Sequence, residues 1–395
     1  MKDLTSTTGC MGAMPGSETL AALEKGIELE AQGIKVYMMS VGEPDFDTPE
    51  IVKAAAWKAM EQGETKYTIP AGIIPLREAC ARELSATGVP AKMQNVIITP
   101  GGKFGCSAAI CALCGPGDEV VIPVPYWVSH LHLVRAAGAT PVLVPTYPEN
   151  NFELTASDLE KYITERTRLV ILCSPSNPTG TVWRRKALQE LADCAVKKNF
   201  MILSDEVYEK LVYDQEYPHI PIASFSPEAA EHTITVRSFS KSHAMTGWRC
   251  GYLSCPDWLF AKINALQTHF LANVTTFAQF GALQALQDDG NSCELMRREF
   301  ARRRDIICEL LSQIPDIDFV RPTGAFYVFV DISKFGIPSA EFCYQLMESA
   351  HVALAPGCGF GADGFVRISY ACSEETLREA VKRFAGFCNS LPLKK

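Results

Sequence analysis

Short apolar, β-rich runs alternate with amphipathic segments through the middle of this chain, and that rhythm restricts its fold more than any other feature. The runs are "NVIITP" (95–100), "DEVVIPV" (118–124), "TRLVILCS" (167–174), "FMILSDE" (200–206), "HTITVRS" (232–238) and "RCGYLS" (249–254). Between most of them lie helical patterns. "SDLEKYITE" (157–165) opens on a cap-like Ser, and "RRKALQELADCAVKKN" (184–199) keeps apolar residues at helical spacing. Near-continuous apolar strands separated by helices specify an α/β fold with a mainly parallel sheet covered on both faces. The ends of the chain read differently. Residues 17–32 form a helical pattern, and a long charged helix carries "ELMRREFARRRDIICELLSQI" (294–314). Strands at 325–332 and 364–371 and helices at 338–350 and 374–388 follow, in an α+β order. The expected organisation is a large domain over 46–290. A smaller α+β domain combines 1–45 with 291–395.

Bulk properties exclude several function classes. With 47% apolar and 21% charged residues in 395, the chain can build a sizeable core. A net charge of −8 argues against a general nucleic-acid binder. The 15 cysteines are scattered and odd in number, which fits free thiols in a reducing cytosol better than a disulfide framework. No signal peptide and no membrane span are expected, because no sustained apolar run of sufficient length occurs. No internal repeat or low-complexity tract appears.

In an open α/β sheet, ligands bind beyond the carboxyl ends of the strands, so the residues just after each run carry the functional information. After "NVIITP" comes "GGKFG" (101–105), a glycine pair before a helix. Such a pair offers backbone N–H groups to a phosphate, or it is only a tight turn. After "DEVVIPV" comes "PYW" (125–127), which stacks on a flat ring or merely packs. "SPSNPTG" (174–180) puts Asn177 on a sharp turn. Asp205 ends a buried strand, where an isolated carboxylate is costly. Its partner is either a protonated ring nitrogen or the start of a helix that it caps. Tyr208 lies three residues on, on the same face if that segment is helical.

The stretch "SFSKSHAMTGWRCGY" (238–252) then supplies Ser238, Ser240, Lys241 and Arg249. The serines and the arginine suit a phosphate. A lysine among cations in a poorly solvated place loses basicity and can form an imine with a carbonyl. A lone loop lysine is ordinarily a solvated charge. Here successive strand ends all deliver groups suited to one ligand. That ligand has a phosphate, a flat ring, a phenolic oxygen, a ring nitrogen and an aldehyde, a description met by pyridoxal 5'-phosphate.

Together with "VGEPDFDTP" (41–49), "KYTIPAGIIPLREA" (66–79), "TPGGK" (99–103), "SDEVYE" (204–209) and "FVRISYA" (365–371), these motifs carry a resemblance over nearly the whole chain. The chain resembles the class I pyridoxal-phosphate aminotransferases of fold type I, in their bacterial aspartate aminotransferase-like branch. The spacings from Asn177 to Asp205 to Tyr208, and from Lys241 to Arg249, match that family's pattern.

The resemblance implies a seven-stranded-type sheet and a set of roles. Lys241 would bind the cofactor and move the substrate α-proton. Asp205 would pair with the ring nitrogen, and Asn177 and Tyr208 with the phenolic oxygen. Trp127 would stack on the ring. Gly102, Lys103, Ser238, Ser240 and Arg249 would hold the phosphate. Tyr67 would reach the phosphate of a neighbouring subunit, which implies a homodimer with shared sites. Arg367 would clamp the substrate α-carboxylate with a fork that a lysine lacks, and Gly42 would approach the same group.

Substrate choice rests on fewer residues. In the branch that the chain resembles, a lysine in "GGK" and a Ser and Thr recognise an acidic side chain, so the resemblance implies that Lys103, with Ser17 and Thr19 of "PGSETL", favours an acidic amino acid. The expected reaction moves the amino group of L-aspartate to 2-oxoglutarate by a ping-pong mechanism, in the cytoplasm. The run "QTHFLANVTT" (267–276) departs from the small, Ser/Thr-rich segment usual in the family and places His269, Phe270 and Leu271 there. Aromatic amino acids or prephenate, or a β-lyase reaction on the same fold, are the alternatives. A cofactor-binding regulator is disfavoured because no segment is spare for a DNA-binding module.

Other signals have plainer readings. "CALC" (111–114) lacks further ligands for a metal, and two buried helical thiols are expected there, so no metal site is assigned. "GCGFGADG" (357–364) lacks the order of a dinucleotide loop and reads as a mobile loop leading to Arg367. His243 packs in its loop, and "RREFARRR" (297–304) is a solvated helix face.

Overall fold

The structure is a computed structural model that describes residues 26, 28–29, 31–288 and 291–394. The main sheet holds β2 (Val96–Thr99), β3 (Glu119–Val124), β4 (Thr140–Pro145), β5 (Thr167–Cys173), β6 (Met201–Asp205), β7 (Thr233–Ser238) and β8 (Gly251–Ser254), in the order β2-β8-β7-β6-β5-β3-β4. All neighbours pair in parallel except β8, which runs antiparallel to both β2 and β7. This is the mostly parallel sheet expected from the apolar runs. The central strands β6 and β7 are buried along their whole length. One apolar cluster lies on the face covered by the helix Gly102–Leu113, and another on the face covered by Arg185–Lys198.

Strand β4 was not among the expected runs. Its sequence, TPVLVP, carries two prolines, which read as punctuation. It pairs only with β3, and an edge strand tolerates residues that cannot donate to a ladder.

Carboxyl-terminal residues form a four-stranded antiparallel sheet of β9 (Asp318–Phe319), β10 (Tyr327–Asp331), β12 (Ala355–Pro356) and β13 (Phe365–Ser369), ordered β12-β13-β10-β9. Nearby, β1 (Tyr37–Met38) pairs in parallel with β11 (Val352–Ala353), which ties the amino-terminal segment to the carboxyl-terminal part. The helices Asn291–Leu311 and Glu374–Ser390 bury Phe300, Ile307, Leu377 and Phe384 in the core of that region.

Four local expectations are corrected. The helix near 157 is capped by Thr155, not by a Ser. Thr155 accepts from the Asp158 N–H, and the Asp158 carboxylate accepts from the Thr155 N–H. No helix follows Asp205, so it caps nothing, and residues 207–210 form a turn. The basic run is only in part a solvated face, formed by Arg298 and Arg302. Arg303 and Arg304 are buried and ion-paired with Asp45 and Asp214, at 2.7 and 2.9 Å. The glycine-rich stretch is packed: Gly357 and Phe360 are buried, and a Cβ on Gly357 would collide with the backbone of Ala362 and Phe365.

Of the two thiols in "CALC", Cys114 is buried but Cys111 is exposed. His243 is buried as expected, beside the Phe239 ring, and burial lowers its imidazole to about 3. Among the described residues no helix is long and apolar enough to cross a membrane.

Candidate active site

The parallel geometry brings the carboxyl ends of β2, β3, β5, β6 and β7 to one edge of the sheet. Because β8 is antiparallel, its amino-terminal end, with Arg249 just before it, arrives at the same edge. A cavity of about 560 Å³ opens there. Its wall includes Gly102, Lys103, Trp127, Asn177, Asp205, Tyr208, Ser238, Ser240, Lys241 and Arg249 from the main sheet side, and Gly42 and Arg367 from the other. Twelve of the expected site residues thus converge. Tyr67 does not line the cavity of this chain and is 87% exposed. Ser17 and Thr19 lie outside the described residues. His269, Phe270 and Leu271 are at the end of the helix Asp257–Leu271, and none lines the cavity.

The floor is formed by Asp205. Its Oδ2 accepts a hydrogen bond from His130 Nε2 at 3.0 Å, and both side chains are almost fully buried. Among the described residues its Oδ1 is buried without a hydrogen-bond partner, with the buried Cys106 thiol close to the carboxylate. A buried carboxylate oxygen left open in this way fits a protonated ring nitrogen, which would supply the missing donor. The Trp127 ring packs edge-on against His130, with the Lys103 ammonium 5.2 Å from the Trp127 ring centre.

An anion cradle occupies one end. Ser238 Oγ donates to Ser240 Oγ at 2.9 Å, and the helix Gly102–Leu113 begins beside them. Gly101 has φ of +84°, and a Cβ there would lie 2.6 Å from Arg249 Nη2. A Cβ on Gly251 would come within 2.9 Å of the Arg237 carbonyl and the Gly101–Gly102 backbone. Glycine is therefore required for backbone N–H groups, two hydroxyls and a guanidinium to surround one small volume, as a phosphate demands.

Lys241 stands between these two features. Its Nζ donates to the Gly42 carbonyl at 2.5 Å. Burial lowers the lysine to about 8; the Glu43 carboxylate opposes that, and Arg367, Arg249 and Lys103 reinforce it. An amine so placed is a usable nucleophile and base near neutral pH.

Opposite lies the fully buried Arg367. It donates from Nη1 to Asn177 Oδ1 at 2.8 Å and from Nη2 to the Ser40 carbonyl at 2.5 Å, and its Nε has no partner. Its guanidinium lies over the rings of Tyr327 and Phe360, at 4.5 and 4.9 Å. Among the described residues no carboxylate pairs with it, which suits an arginine that awaits an anionic group.

Several residues escaped sequence reading: Tyr327, Ser40, Glu43, Cys173 and Thr246 on the wall, and His130 behind Asp205. Tyr208 Oη is 2.8 Å from Tyr327 Oη, and burial raises both phenols. Glu43 accepts from Thr246 Oγ1. His130 follows Trp127 by one helical turn in "PYWVSHLH", a signal available in the sequence.

Comparison with known proteins agrees with this geometry. The family model for aminotransferase class I and II matches residues 34–384. The chain is 43% identical over 376 residues to a probable aspartate/prephenate aminotransferase of Aquifex aeolicus, covering 93% of this chain and 94% of that one. It is 40% identical over 377 residues to an aspartate aminotransferase of a Bacillus species, covering 94% and 96%. The solved structure of the aspartate aminotransferase from Thermus thermophilus with maleate superposes with a TM-score of 0.93 at 40% identity, covering 98% of this chain and all of that one. A match of this extent, on a chain whose strand ends build such a site, means that this protein belongs to the class I and II aminotransferases, with the fold of the fold-type I enzymes.

Proposed function

We propose that the cavity binds pyridoxal 5'-phosphate and transfers the amino group of L-aspartate to 2-oxoglutarate, giving oxaloacetate and L-glutamate. The observation that carries this reading is the juxtaposition of an unpartnered Asp205 oxygen, an anion cradle and a lysine lowered to about 8 in one cavity. The aspartate assignment is supported by the names of the relatives and by Lys103, a cation on the cavity wall that makes no ion pair among the described residues.

When bound, the cofactor supplies a carbonyl that takes up the amino group and a protonated ring that accepts the electron pair released at the substrate α-carbon. The protein's residues do the remainder. Asp205, oriented by His130, holds the proton on the ring nitrogen. The cradle of Gly102, Ser238, Ser240 and Arg249 fixes the phosphate, with the Lys103 N–H beside it. Trp127 would cover one face of the ring, and Asn177 and Tyr208 would donate to the phenolic oxygen. Arg367 takes the substrate α-carboxylate in a two-point grip, with the Gly42 backbone alongside. With its amine free, Lys241 would take the substrate α-proton at Nζ and give it back later in the transfer. The amino donor leaves as its oxo acid before the acceptor enters, so the kinetics are ping-pong.

We read residues 46–290 as the large domain, and 1–45 with 291–395 as the small one. The exposed Tyr67 ring fits a role in the partner's phosphate site, and the functional unit is a homodimer acting in the cytoplasm.

The test is a coupled assay with the cofactor-loaded protein and a panel of amino donors. Oxaloacetate should form from aspartate and 2-oxoglutarate, and Lys241→Ala should abolish it. Pyruvate, ammonia and a free thiol from S-substituted cysteines, or a preference for phenylalanine over aspartate, would overturn the substrate assignment.

A further inference from the structure

Asp205 and Ser238 each have a charged neighbour in the chain, Glu206 and Arg237, that the reaction does not use. Successive residues of a strand point to opposite sides. Asp205 and Ser238 line the cavity, whereas Glu206 and Arg237 do not. Away from the cavity the two charged side chains meet. Glu206 Oε2 accepts from Arg237 Nε at 3.0 Å and from its Nη2 at 2.9 Å, and each side chain is about 1% exposed or less.

Further contacts tie other segments to the pair. Glu206 Oε1 accepts from Ser204 Oγ at 3.0 Å, and His219 Nε2 lies 3.1 Å from Oε2. Arg237 Nη2 donates to Thr87 Oγ1, at the end of the helix Ile74–Ala86, at 3.1 Å. Burial pushes the Glu206 carboxyl up, but the charges of Arg237 and His219 bring it to about 2, so the pair is ionised at neutral pH.

The pair sits where the backbone stops joining the two strands. The β6–β7 ladder ends with Asp205 opposite Val236, closed by a bond from Glu206 N–H to the Val236 carbonyl at 2.8 Å. Past that point the chain from β6 enters the turn at 207–210, and β7 runs into the short helix Phe239–Ser242. The ion pair therefore continues the link between the strands at the level of Asp205 and Ser238. A fold does not need charge for this, because apolar residues of similar volume often replace a buried ion pair without loss of stability. Apolar packing lacks direction, however. A charge-assisted contact with two donors on one oxygen fixes separation and angle together.

We propose that Glu206 and Arg237 are positioning residues that set the distance between Asp205 and Ser238. They thereby match the site to a ligand with a ring nitrogen at one end and a phosphate at the other. This role rests on the cavity being the pyridoxal phosphate site proposed above. A ligand held by only one of the two anchors is indifferent to the pair.

The experiment uses the full-length protein freed of cofactor and two ligands. Pyridoxamine 5'-phosphate spans both anchors and forms no bond to Lys241, whereas inorganic phosphate uses the cradle alone. Dissociation constants are measured by calorimetry, and the melting temperature reports folding. The double variant Glu206→Gln, Arg237→Met strands no charge and keeps side-chain volume. It should melt near wild type and bind inorganic phosphate as wild type does. Its dissociation constant for pyridoxamine phosphate should rise roughly ten- to hundredfold, as expected when one hydrogen bond to a charged group is lost. Arg237→Lys keeps the charge without the two-donor contact and should show the same split with a smaller rise; it decides alone if the double variant does not fold. An unchanged constant for pyridoxamine phosphate in the folded variant would overturn the proposal. Equal loss of both ligands would overturn it too, because the pair would then act on the fold at large. A wild type that binds phosphate but not pyridoxamine phosphate would instead remove the cofactor reading, and the positioning role with it.

Discussion

The imidazole of His130 holds the Asp205 carboxylate by one oxygen, Nε2 to Oδ2 at 3.0 Å, and among the described residues the other oxygen of this cavity-lining side chain has no hydrogen-bond partner. The helix that carries His130 packs on the same sheet face as the helix Gly102–Leu113, so the pair is rigidly backed. Replacing His130 by Phe keeps a ring of similar size and removes the donor. Loss of a buried hydrogen bond to a charged group costs about 1.5–3 kcal/mol. The dissociation constant for pyridoxal phosphate should therefore rise roughly ten- to hundredfold, measured by absorbance titration of the cofactor-free protein. Unchanged affinity would remove His130 from the cofactor site.

Lys241 should titrate far below an ordinary lysine. In the cofactor-free protein its rate of acylation, followed by mass spectrometry of the labelled peptide, should reach half its maximum at about pH 8. The sign follows from the mechanism: only the free amine reacts, so reactivity rises with pH through the lysine's own pKa. Glu43→Gln removes the carboxylate that raises this pKa, so the midpoint should move lower still. A midpoint near that of surface lysines would contradict the burial of this side chain.

Arg367→Lys should separate binding of the carboxylate from the rest of the chemistry. A lysine keeps the charge but loses the planar fork and its support from Asn177 and Ser40. The KM for aspartate should rise by about one to two orders of magnitude. Turnover of an amine that lacks an α-carboxylate should change little. A parallel loss for both substrates would show that the arginine acts on the fold instead.

Glu206 and Arg237 form an ion pair in which each side chain is about 1% exposed or less. Burial pushes the Glu206 carboxyl up, but the charges of Arg237 and His219 outweigh it and bring it to about 2. A carboxylate held below its unfolded value stabilises the fold above about pH 4.5, and that contribution is lost as pH falls toward 2. Glu206→Gln strands the Arg237 charge and should cost about 3–5 kcal/mol at pH 7. The gap between variant and wild type, read from urea denaturation, should narrow at pH 3. A constant gap would mean that packing, not charge, dominates.

Much of the site was legible because of where its residues sit in the chain. Asp205 and Ser238 end a buried parallel strand and Asn177 and Lys241 follow one within a few positions, and parallel strands in one sheet end at a common edge. Strand β4 was harder to read because its prolines resemble loop chemistry, and only its edge position makes them acceptable. Arg303 and Arg304 looked like surface charges because their partners, Asp45 and Asp214, are distant in the chain. The glycines at 357–364 looked mobile, yet Gly357 has no side chain because neighbouring backbone fills the space.

By itself, then, the sequence determined the sheet's parallel character and the set of strand-end groups, since both depend on covalent order and on apolar runs that local physics can read. Only the tertiary structure decided which atoms are left wanting: Asp205 Oδ1 above the His130 contact, Arg367 Nε, Glu209 Oε2 and His219 Nδ1. Whether a buried polar atom is satisfied depends on neighbours brought from elsewhere in the chain, and no local pattern of residues encodes that.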